Sequence, residues 1–434
     1  MQIEQIYRRL RPRLWTDRLI VWTGAVLTGL VVVGFVKLTD FANAWFSAIQ
    51  TRHEWIPLLI TPLGGALVVS LTRRFASGAS GSGIPQVIAA LNPELPNAGT
   101  PHLVSLRLVF GKIFLGAAAM FVGFSTGREG PSVQIAAGVF RSVHHWILHK
   151  SIIKERDLIL AGGAAGIAAA FNAPLAGIVF AIEELSKRFE ERSSGVLITA
   201  IVIAGLVATS LMGNLNYFGR VTSIEVGSDI LWPGILVTLA AGLFGGVFAR
   251  LLIHSFRDQS WPINQWRQSH PVQFAAACGL VVALLGLLSG GAVYGSGYSA
   301  SQGLLSGQSD VSIFYFAEKF IATWVSFWSG VPGGIFAPAL AVGAGIGHDV
   351  ALLTSAVSAP PIIALGMAGF LAAVTQAPIT SFIIVMEMTD EHSMVLSLMA
   401  AALLASAISR IVSEPLYPAL AKLQLARVEA LLNR

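Results

Sequence analysis

Charged residues are scarce in this sequence of 434 residues. Asp, Glu, Lys and Arg together make up 12% of it, whereas about 25% is usual in soluble domains. Hydrophobic residues make up 54%, and the mean hydropathy is +0.71. So few charges cannot cover a surface in contact with water, which excludes the usual class of soluble globular protein. We therefore expect an integral membrane protein.

Cysteine and recognisable cofactor motifs are nearly absent as well. Cys278 is the only cysteine, which excludes an intrachain disulfide, and its apolar surroundings predict a small packing residue. His145 and His149 have the spacing of a metal-binding pair, but no third ligand is evident. The sequence contains no Walker A, G-x-G-x-x-G or H-E-x-x-H pattern. We therefore expect no metal, no resident cofactor and no use of ATP.

Long apolar runs are what the sequence does contain. Eight of them approach or exceed the roughly 20 residues that cross a bilayer, which predicts an all-α, polytopic membrane protein. They cover residues 19–37, 104–124, 158–182, 195–212, 231–253, 273–291, 361–387 and 393–412. Shorter runs near 56–71, 313–328 and 334–347 are further candidates, and several carry Gly and Pro, which is typical of broken or re-entrant helices.

The net charge of +5 comes largely from short segments that flank the apolar runs. By the positive-inside rule these segments are cytoplasmic, which predicts a multi-pass protein of the cell (inner) membrane with its N-terminus in the cytoplasm. No basic stripe is interleaved with aromatic residues, so contact with lipid headgroups is favoured over binding of nucleic acid. The residues concerned are Arg8, Arg9, Arg11, Arg13, Arg18, Arg141, Lys150, Lys154, Arg156, Lys187, Arg188 and Arg192.

The 44 glycines cluster in a few places, and three of the clusters also contain proline next to an apolar run. Gly and Pro in that position predict a helix that begins there, with unpaired backbone N–H groups at its first turn. Free N–H donors together with the positive end of the helix dipole attract anions. The clusters lie at 78–85, 127–131, 161–166 and 329–338.

The chain also contains an internal repeat. Residues 162–183 align without gaps on 366–387, and 127–138 align on 334–345 at an offset three residues larger. Composition rich in Ala and Gly can produce part of this match. Two halves with broken helices in corresponding positions are typical of transporters that bind their substrate between the halves. We therefore divide the chain into an N-terminal cytoplasmic segment (1–18), a first membrane repeat (19–212), a connecting loop (213–230), a second membrane repeat (231–425) and a cytoplasmic tail (426–434).

Four motifs together make the sequence similar to a known family. G-S-G-I-P (81–85), G-R-E-G-P (127–131), G-G-I-F-A-P (333–338) and P-L-Y (415–417) resemble, in this order, the anion-binding segments of CLC chloride channels and chloride/proton exchangers. The resemblance spans roughly 60–425. It implies a CLC-type fold of two inverted repeats that meet at a central anion site. It also implies a homodimer of the bacterial type, which transports chloride and protons and has no cytosolic nucleotide-binding domains.

The resemblance assigns a central chloride site to four residues. The hydroxyl groups of Ser82 and Tyr417 and the backbone N–H groups of Ile335 and Phe336 would coordinate the ion. Hydroxyl and N–H donors suit a partly dehydrated chloride without holding it too tightly to leave. The alternatives are that Ser82 caps a helix and that Tyr417 belongs to an aromatic belt at the membrane interface.

Glu129 is the strongest candidate for a gate. A carboxylate within an apolar stretch is expensive to bury unless it has a function. The resemblance implies that it is the external gate, which competes with chloride for an anion site and accepts a proton. The alternative is a salt bridge with its neighbour Arg128.

Glu184 matches the residue that transfers protons internally in exchangers of the family, where known channels commonly have an apolar residue. This favours exchange over a passive gated chloride channel, which remains the alternative. Glu183 and Glu184 also precede Lys187 and Arg188, so solvated ion pairs are a second interpretation of both.

The sequence departs from several bacterial relatives just after the first motif, where they carry acidic residues and this chain has Gln86 and Ile88. Any role of those acids is absent here. Ser82 favours chloride, since nitrate-preferring relatives tend to have proline and fluoride exporters asparagine. The resemblance also implies a dimer face that involves 195–212 and 393–412.

A different class of function is suggested by G-F-S-T-G (123–127), which fits the nucleophile elbow of serine hydrolases. That elbow requires a strand, a sharp turn and a helix. Ser125 instead ends a run suited to a membrane helix, and no partner Asp and His are evident. We therefore expect a transporter and not an intramembrane hydrolase.

Overall fold

A computed structural model describes residues 12–147, 153–186, 191–213, 218, 230–308, 311–356 and 358–433. Several predictions lie outside the described residues. They concern the basic residues Arg8, Arg9, Arg11, Lys150, Lys187 and Arg188, the candidate metal ligand His149 and most of the connecting loop.

Nearly all of the described chain is helical, and within it β structure is limited to two isolated bridges. This confirms the predicted all-α fold. The helices of the first half are α1 (Pro12–Arg52), α2 (Pro57–Phe75), α3 (Ile84–Leu91), α4 (Thr100–Leu103), α5 (Leu106–Phe121), α6 (Glu129–Ile147), α7 (Glu155–Phe171), α8 (Pro174–Phe180) and α9 (Glu191–Met212). A 3-10 turn, Ser77–Ala79, precedes α3, and a π-helical turn, Ala181–Ser186, follows α8.

The second half repeats most of this order of helices. It contains α10 (Leu231–Arg257), α11 (Pro262–Ser269), α12 (Pro271–Leu288), α13 (Tyr298–Leu305), α14 (Tyr315–Ser329), α15 (Phe336–Leu353), α16 (Ala359–Thr375), α17 (Pro378–Thr389), α18 (Val395–Val412) and α19 (Leu416–Leu432). Short helices α3 and α13 occupy corresponding places, as do the long helices α6 and α15.

Eight helices in the described part of the chain are long and apolar enough to cross a membrane. They run over Arg18–Arg52, Pro57–Phe75, Thr100–Phe121, Gly195–Met212, Leu231–Arg257, Pro271–Leu288, Phe336–Leu353 and Val395–Val412. Six of these correspond to predicted long runs. The other two, Pro57–Phe75 and Phe336–Leu353, were predicted only as shorter candidates.

Two predicted spans, 158–182 and 361–387, are wrong as single helices. Each is broken once, after Asn172 in the first half and after Gln376 in the second, and both residues have left-handed backbone (φ 53° and 58°). A proline follows two residues later, at the first position of α8 and of α17. Because proline has no N–H and a left-handed residue ends a helix, each apolar run becomes two helices.

Small residues let the central helices approach closely. Helices α6, α7, α15 and α16 pack in pairs, and almost every residue of α7 and α16 is buried. A Cβ atom at Gly343 would overlap the backbone of Gly366, and one at Gly162 would touch the Ala136 carbonyl. Close packing of small residues is the usual way in which helices associate in membranes. The central helices therefore form a rigid frame for the segments that begin beside them.

Cys278 lies on α12 and is buried. It belongs to a hydrophobic cluster with Phe274, Val282, Val325 and Trp328. This placement fits the predicted role of a small packing residue.

Candidate functional site

The loop before α3 contains the first glycine-rich motif, and a buried lysine donates hydrogen bonds to its backbone carbonyl groups. Lys112, on α5, is completely buried, and its Nζ donates hydrogen bonds to the carbonyl oxygens of Ala79 at 2.6 Å and Gly81 at 2.7 Å. These bonds compensate for part of the cost of burying an ammonium group. They also tie down every second carbonyl of the loop.

Two glutamine side chains bind the alternate carbonyl groups. The Nε2 atom of Gln86 donates to the Ser80 oxygen at 2.7 Å and to the Gly78 oxygen at 3.3 Å. The Nε2 atom of Gln134, on α6, donates to the same Gly78 oxygen at 3.0 Å. Four successive carbonyl groups of the loop, 78–81, therefore point at side-chain donors. Because its carbonyl groups are directed to these donors, the loop can direct its N–H and hydroxyl groups to its other side.

Ser82 follows the tied carbonyl groups directly and is 1% exposed. It does not cap α3, because the N-cap is Gly83, whose N–H is bound by the Oε1 atom of Gln86 at 3.1 Å. Gly83 has φ +109°, which only glycine adopts without strain. The capping interpretation of Ser82 is therefore wrong, since Gln86 performs that function.

Tyr417, the second residue of α19, is fully buried, so it does not belong to an aromatic belt at a membrane interface. Its ring stacks on that of Phe336 at 5.9 Å between centroids and 10° between planes. The Tyr417 hydroxyl lies beside the side chain of Ser82. The two hydroxyl groups are close enough to interact with each other, and neither has another hydrogen-bond partner in the described part of the chain. Two buried hydroxyl groups are thus available to a ligand.

Backbone bonds bring the third motif against the first two. Gly127 and Gly334 exchange two N–H···O bonds, each of 2.7 Å. The Gly81 N–H donates to Val331 at 3.2 Å, and the Gly333 N–H donates to Gly81 at 3.0 Å. Consequently, three motifs that are far apart in sequence meet in a single cluster.

Ile335 and Phe336 begin α15 within this cluster, and both are buried. The first N–H groups of a helix have no partners inside the helix. They carry the positive end of its dipole, which favours an anion. The stacked Phe336 ring places this helix start close to Tyr417.

Glu129 is the first residue of α6 and is fully buried. The adjacent glycines make room for its neighbours: a Cβ at Gly127 would overlap the Glu129 carboxylate, and a Cβ at Gly130 would overlap the Ser82 hydroxyl. The carboxylate therefore lies close to the cluster that contains Ser82.

Arg128 forms an ion pair with Asp40 of α1. Both residues line a cavity of about 520 Å³, which we call the Arg128 cavity and which also contains Asn172, Ser296 and Tyr298. Glu129 follows Arg128 directly in the chain, and the next residue, Gly130, lies against the Ser82 hydroxyl. Glu129 therefore has a residue of the Arg128 cavity on one side in the chain and a residue that borders Ser82 on the other.

Glu184 belongs to the π-helical turn after α8 and is 3% exposed. Its charge interacts with the Tyr417 hydroxyl, as does that of Glu129. It lines a second cavity of about 450 Å³, the Glu184 cavity, together with Glu183, Thr375, Gln376, Arg410, Pro415 and Pro418. The two candidate proton-transfer residues are therefore both within electrostatic range of Tyr417.

Glu183 has a defined role that its sequence neighbours did not predict. Its two carboxylate oxygens accept the N–H groups of Ile379 at 3.1 Å and Thr380 at 2.6 Å, in the first turn of α17. The expected ion-pair partners Lys187 and Arg188 lie outside the described residues.

Ser125 does not have the surroundings of a hydrolase nucleophile. It lies in the loop between α5 and α6, and its hydroxyl is hydrogen-bonded to Thr323 at 2.9 Å. Where the chain is described, no three His, Cys, Asp or Glu side chains are grouped closely enough to hold a metal ion.

Two buried lysines near the site were not predicted from the sequence. Lys112 and Lys319 are both completely buried, and they are 207 residues apart, which is the offset that relates the second and third motifs. Lys319 Nζ donates to Val293 and Gly295, each at 2.8 Å, as Lys112 does to its own loop. A lysine in the middle of an apolar run is a signal of function, and it could have revealed both.

The sequence matches a family model described as "Voltage gated chloride channel" over residues 64–410. The structure is similar to the crystal structure of a slow cyanobacterial Cl-/H+ antiporter, with a TM-score of 0.83 and 27% sequence identity, over 98% of this chain and 100% of that one.

Two further solved structures support the fold alone. One is a CLC-type fluoride/proton antiporter, with a TM-score of 0.75 and 23% identity over 94% of this chain and 98% of that one. The other is a eukaryotic CLC transporter, with a TM-score of 0.74 and 19% identity over 94% of this chain and 75% of that one.

The loop before α3 predicts that Gln86 is important for stability. Replacing it by leucine (Gln86→Leu) leaves the Ser80 oxygen and the Gly83 N–H buried without their present partners. We expect the free energy of unfolding to fall by about 1–3 kcal/mol, the usual cost of an unsatisfied buried polar group. The thermal unfolding midpoint in detergent measures this. Gln268→Leu, which changes an exposed glutamine, is the control, and an equal shift in both would contradict the assigned role.

Proposed function

This chain belongs to the voltage gated chloride channel family, and we propose that it exchanges chloride for protons across a cell membrane by secondary active transport. A membrane protein of the CLC transporter fold, with eight helices able to span a bilayer in its described part, has the architecture for this function. The similar structure named as a Cl-/H+ antiporter supports exchange.

The observation that carries the proposal is the loop of residues 78–81, in which all four backbone carbonyl groups accept hydrogen bonds from side chains. An anion site in a low-dielectric interior needs donors without competing acceptors. Residues 78–81 direct their carbonyl oxygens to Lys112, Gln86 and Gln134, while the hydroxyl of Ser82 has no described partner besides Tyr417. We propose that a chloride ion binds here.

The donors of this site are those that the motifs predicted. The hydroxyl groups of Ser82 and Tyr417 and the N–H groups of Ile335 and Phe336 surround the ion. This set is neutral, so it binds a halide without a counter-charge that would trap it. A serine at position 82 favours chloride over nitrate and fluoride.

We propose that Glu129 and Glu184 form the two ends of the proton path. Glu129 acts as the external gate, since an ionised carboxylate competes with chloride for the same donors. Protonation removes that competition and lets the ion pass. Glu184 lines the Glu184 cavity and transfers protons internally. Coupling follows because the gate opens to chloride only when it carries a proton.

We propose the same orientation and assembly that the sequence indicated. The N-terminus is cytoplasmic, the Arg128 cavity is external and the Glu184 cavity is internal. Two copies pair through the apolar faces of α9 and α18, where Leu206 and Leu404 are about 60% exposed (62% and 59%).

Proton transport against a gradient tests this function directly. In proteoliposomes with a chloride gradient, we expect chloride to drive protons uphill. Glu129→Gln and Glu184→Val should each abolish proton movement while chloride still crosses, because each removes one proton acceptor. A pH electrode and a chloride electrode measure both fluxes. Glu429→Gln, at an exposed position on α19, is the control.

Other outcomes have clear meanings. Chloride flux without proton movement at any pH would identify a passive channel of the same family. The absence of any anion flux would refute the assignment of chloride transport.

Chloride affinity tests the proposed donors separately. Ser82→Ala and Tyr417→Phe each remove one hydroxyl donor to an ion. We expect each to weaken chloride binding about 10- to 150-fold, since a hydrogen bond to a charged group contributes about 1.5–3 kcal/mol. Isothermal titration calorimetry measures the dissociation constant. Ser406→Ala and Tyr315→Phe are matched controls, because each removes a buried hydroxyl that has no partner in the described structure. Equal losses in the control variants would contradict the site.

A further inference from the structure

We infer that Glu183 is a positioning residue for Glu184, holding the π-helical turn that directs Glu184 into its cavity. This inference rests on the proposed role of Glu184 in proton transfer. The Glu183 carboxylate binds two N–H groups at the start of α17, which belongs to the other half of the molecule. A carboxylate at a helix N-terminus satisfies free donors and is favoured by the helix dipole. Glu183 is thereby fixed at both oxygens.

The second half contains the equivalent contact. The carboxylate of Glu387 accepts the N–H groups of Leu175 at 3.1 Å and Ala176 at 2.7 Å, in the first turn of α8. Glu183 and Glu387 are 204 residues apart, the same interval that separates their bound partners. Each half therefore caps a helix of the other with an equivalent glutamate. Tying the two halves together is a function that both glutamates share.

The two halves differ in the helix that carries each glutamate. In the second half, α17 remains α-helical from Pro378 to Thr389, past Glu387. In the first half, α8 changes at Ala181 into a π-helical turn that contains Glu183. A π-helical turn is rare and frequently marks a functional site. The difference between the halves falls on the turn that carries Glu184, whereas Met388 follows Glu387.

The cap explains how the unusual turn keeps its shape. Glu183 is half-buried and bound to α17, whereas the next residue, Glu184, is 3% exposed and lies within electrostatic range of Tyr417. Without the two bonds to α17, the turn can relax to α-helical pairing, which rotates the side chains that follow Glu183. Glu184 would then move away from Tyr417. The bonds of Glu183 thus set the direction of Glu184.

The test measures coupling, which is the number of protons moved per chloride, in Glu183→Ala, in Glu183→Gln and in the control Glu387→Ala, which changes the equivalent residue of the second half. Thermal stability is measured for each variant. We expect Glu183→Ala to reduce the protons moved per chloride by about 10-fold or more, because a displacement of about 1 Å can cost 10²-fold. Glu183→Gln should retain most of the coupling, since the amide oxygen still accepts N–H groups. Glu387→Ala should lose similar stability but keep the coupling.

Two results would overturn the inference. Equal loss in Glu183→Gln and Glu183→Ala would mean that Glu183 itself carries the proton. If Glu183→Ala and Glu387→Ala lose coupling to the same extent, in proportion to their loss of thermal stability, the contact is structural only. Should Glu183→Ala fail to fold, Glu183→Asp takes its place, because the shorter carboxylate cannot reach both N–H groups. The expected loss of coupling is then intermediate, and unchanged coupling counts against the inference.

A readout without transport separates this inference from the proposed function. With Glu184→Cys in the chain, a charged thiol reagent reports access from the Glu184 cavity, since the native Cys278 is buried. Adding Glu183→Ala should change the labelling rate, and adding Glu387→Ala should not. If the unaltered protein does not couple protons, exchange fails, and this labelling alone decides the role of Glu183. Identical rates in all three proteins would overturn it.

Discussion

Backbone carbonyl groups are the main obstacle to an anion site inside a membrane protein. Each must be hydrogen-bonded, because no bulk water is available, and each repels a nearby anion. The loop before α3 meets both conditions, because the carbonyl oxygens of residues 78–81 bind Lys112, Gln86 and Gln134. Those side chains come from three helices, α5, α3 and α6. The position of Ser82, and with it the proposed chloride site, depends on the packing of these helices.

Each half of the chain contains a buried lysine that binds a loop and a glutamate that caps a helix of the other half. The two halves are nevertheless not identical. Lys319 holds the loop of Val293 and Gly295 as Lys112 holds the loop before α3. Glu183 and Glu387 exchange equivalent caps between the halves. The π-helical turn at Ala181–Ser186 has an α-helical counterpart in the second half. In this account, the shared features hold the halves together, and the unequal feature directs proton transfer.

The sequence predicted which residues lie together better than it predicted the course of the chain. The glycine-rich motifs led to Ser82, Glu129 and Ile335 because glycine and proline mark helix starts wherever they occur. Hydropathy could not locate the breaks at Asn172 and Gln376, since a left-handed residue leaves an apolar run unchanged. The cap by Glu183 was also out of reach, because its partners lie about 200 residues away. From the sequence, Gln86 stood out only because several bacterial relatives have acidic residues in this region. The structure shows that its side chain binds the Gly83 N–H at the start of α3.

The central claim is that an anion binds between the first motif, α15 and Tyr417, and crystallography with bromide tests it most directly. Crystals grown in bromide, measured at the bromine absorption edge, give an anomalous signal only where the ion is bound. The account predicts a peak within hydrogen-bonding reach of the Ser82 and Tyr417 hydroxyl groups and of the N–H groups of Ile335 and Phe336. A well-ordered site with no bromide peak there would contradict the account.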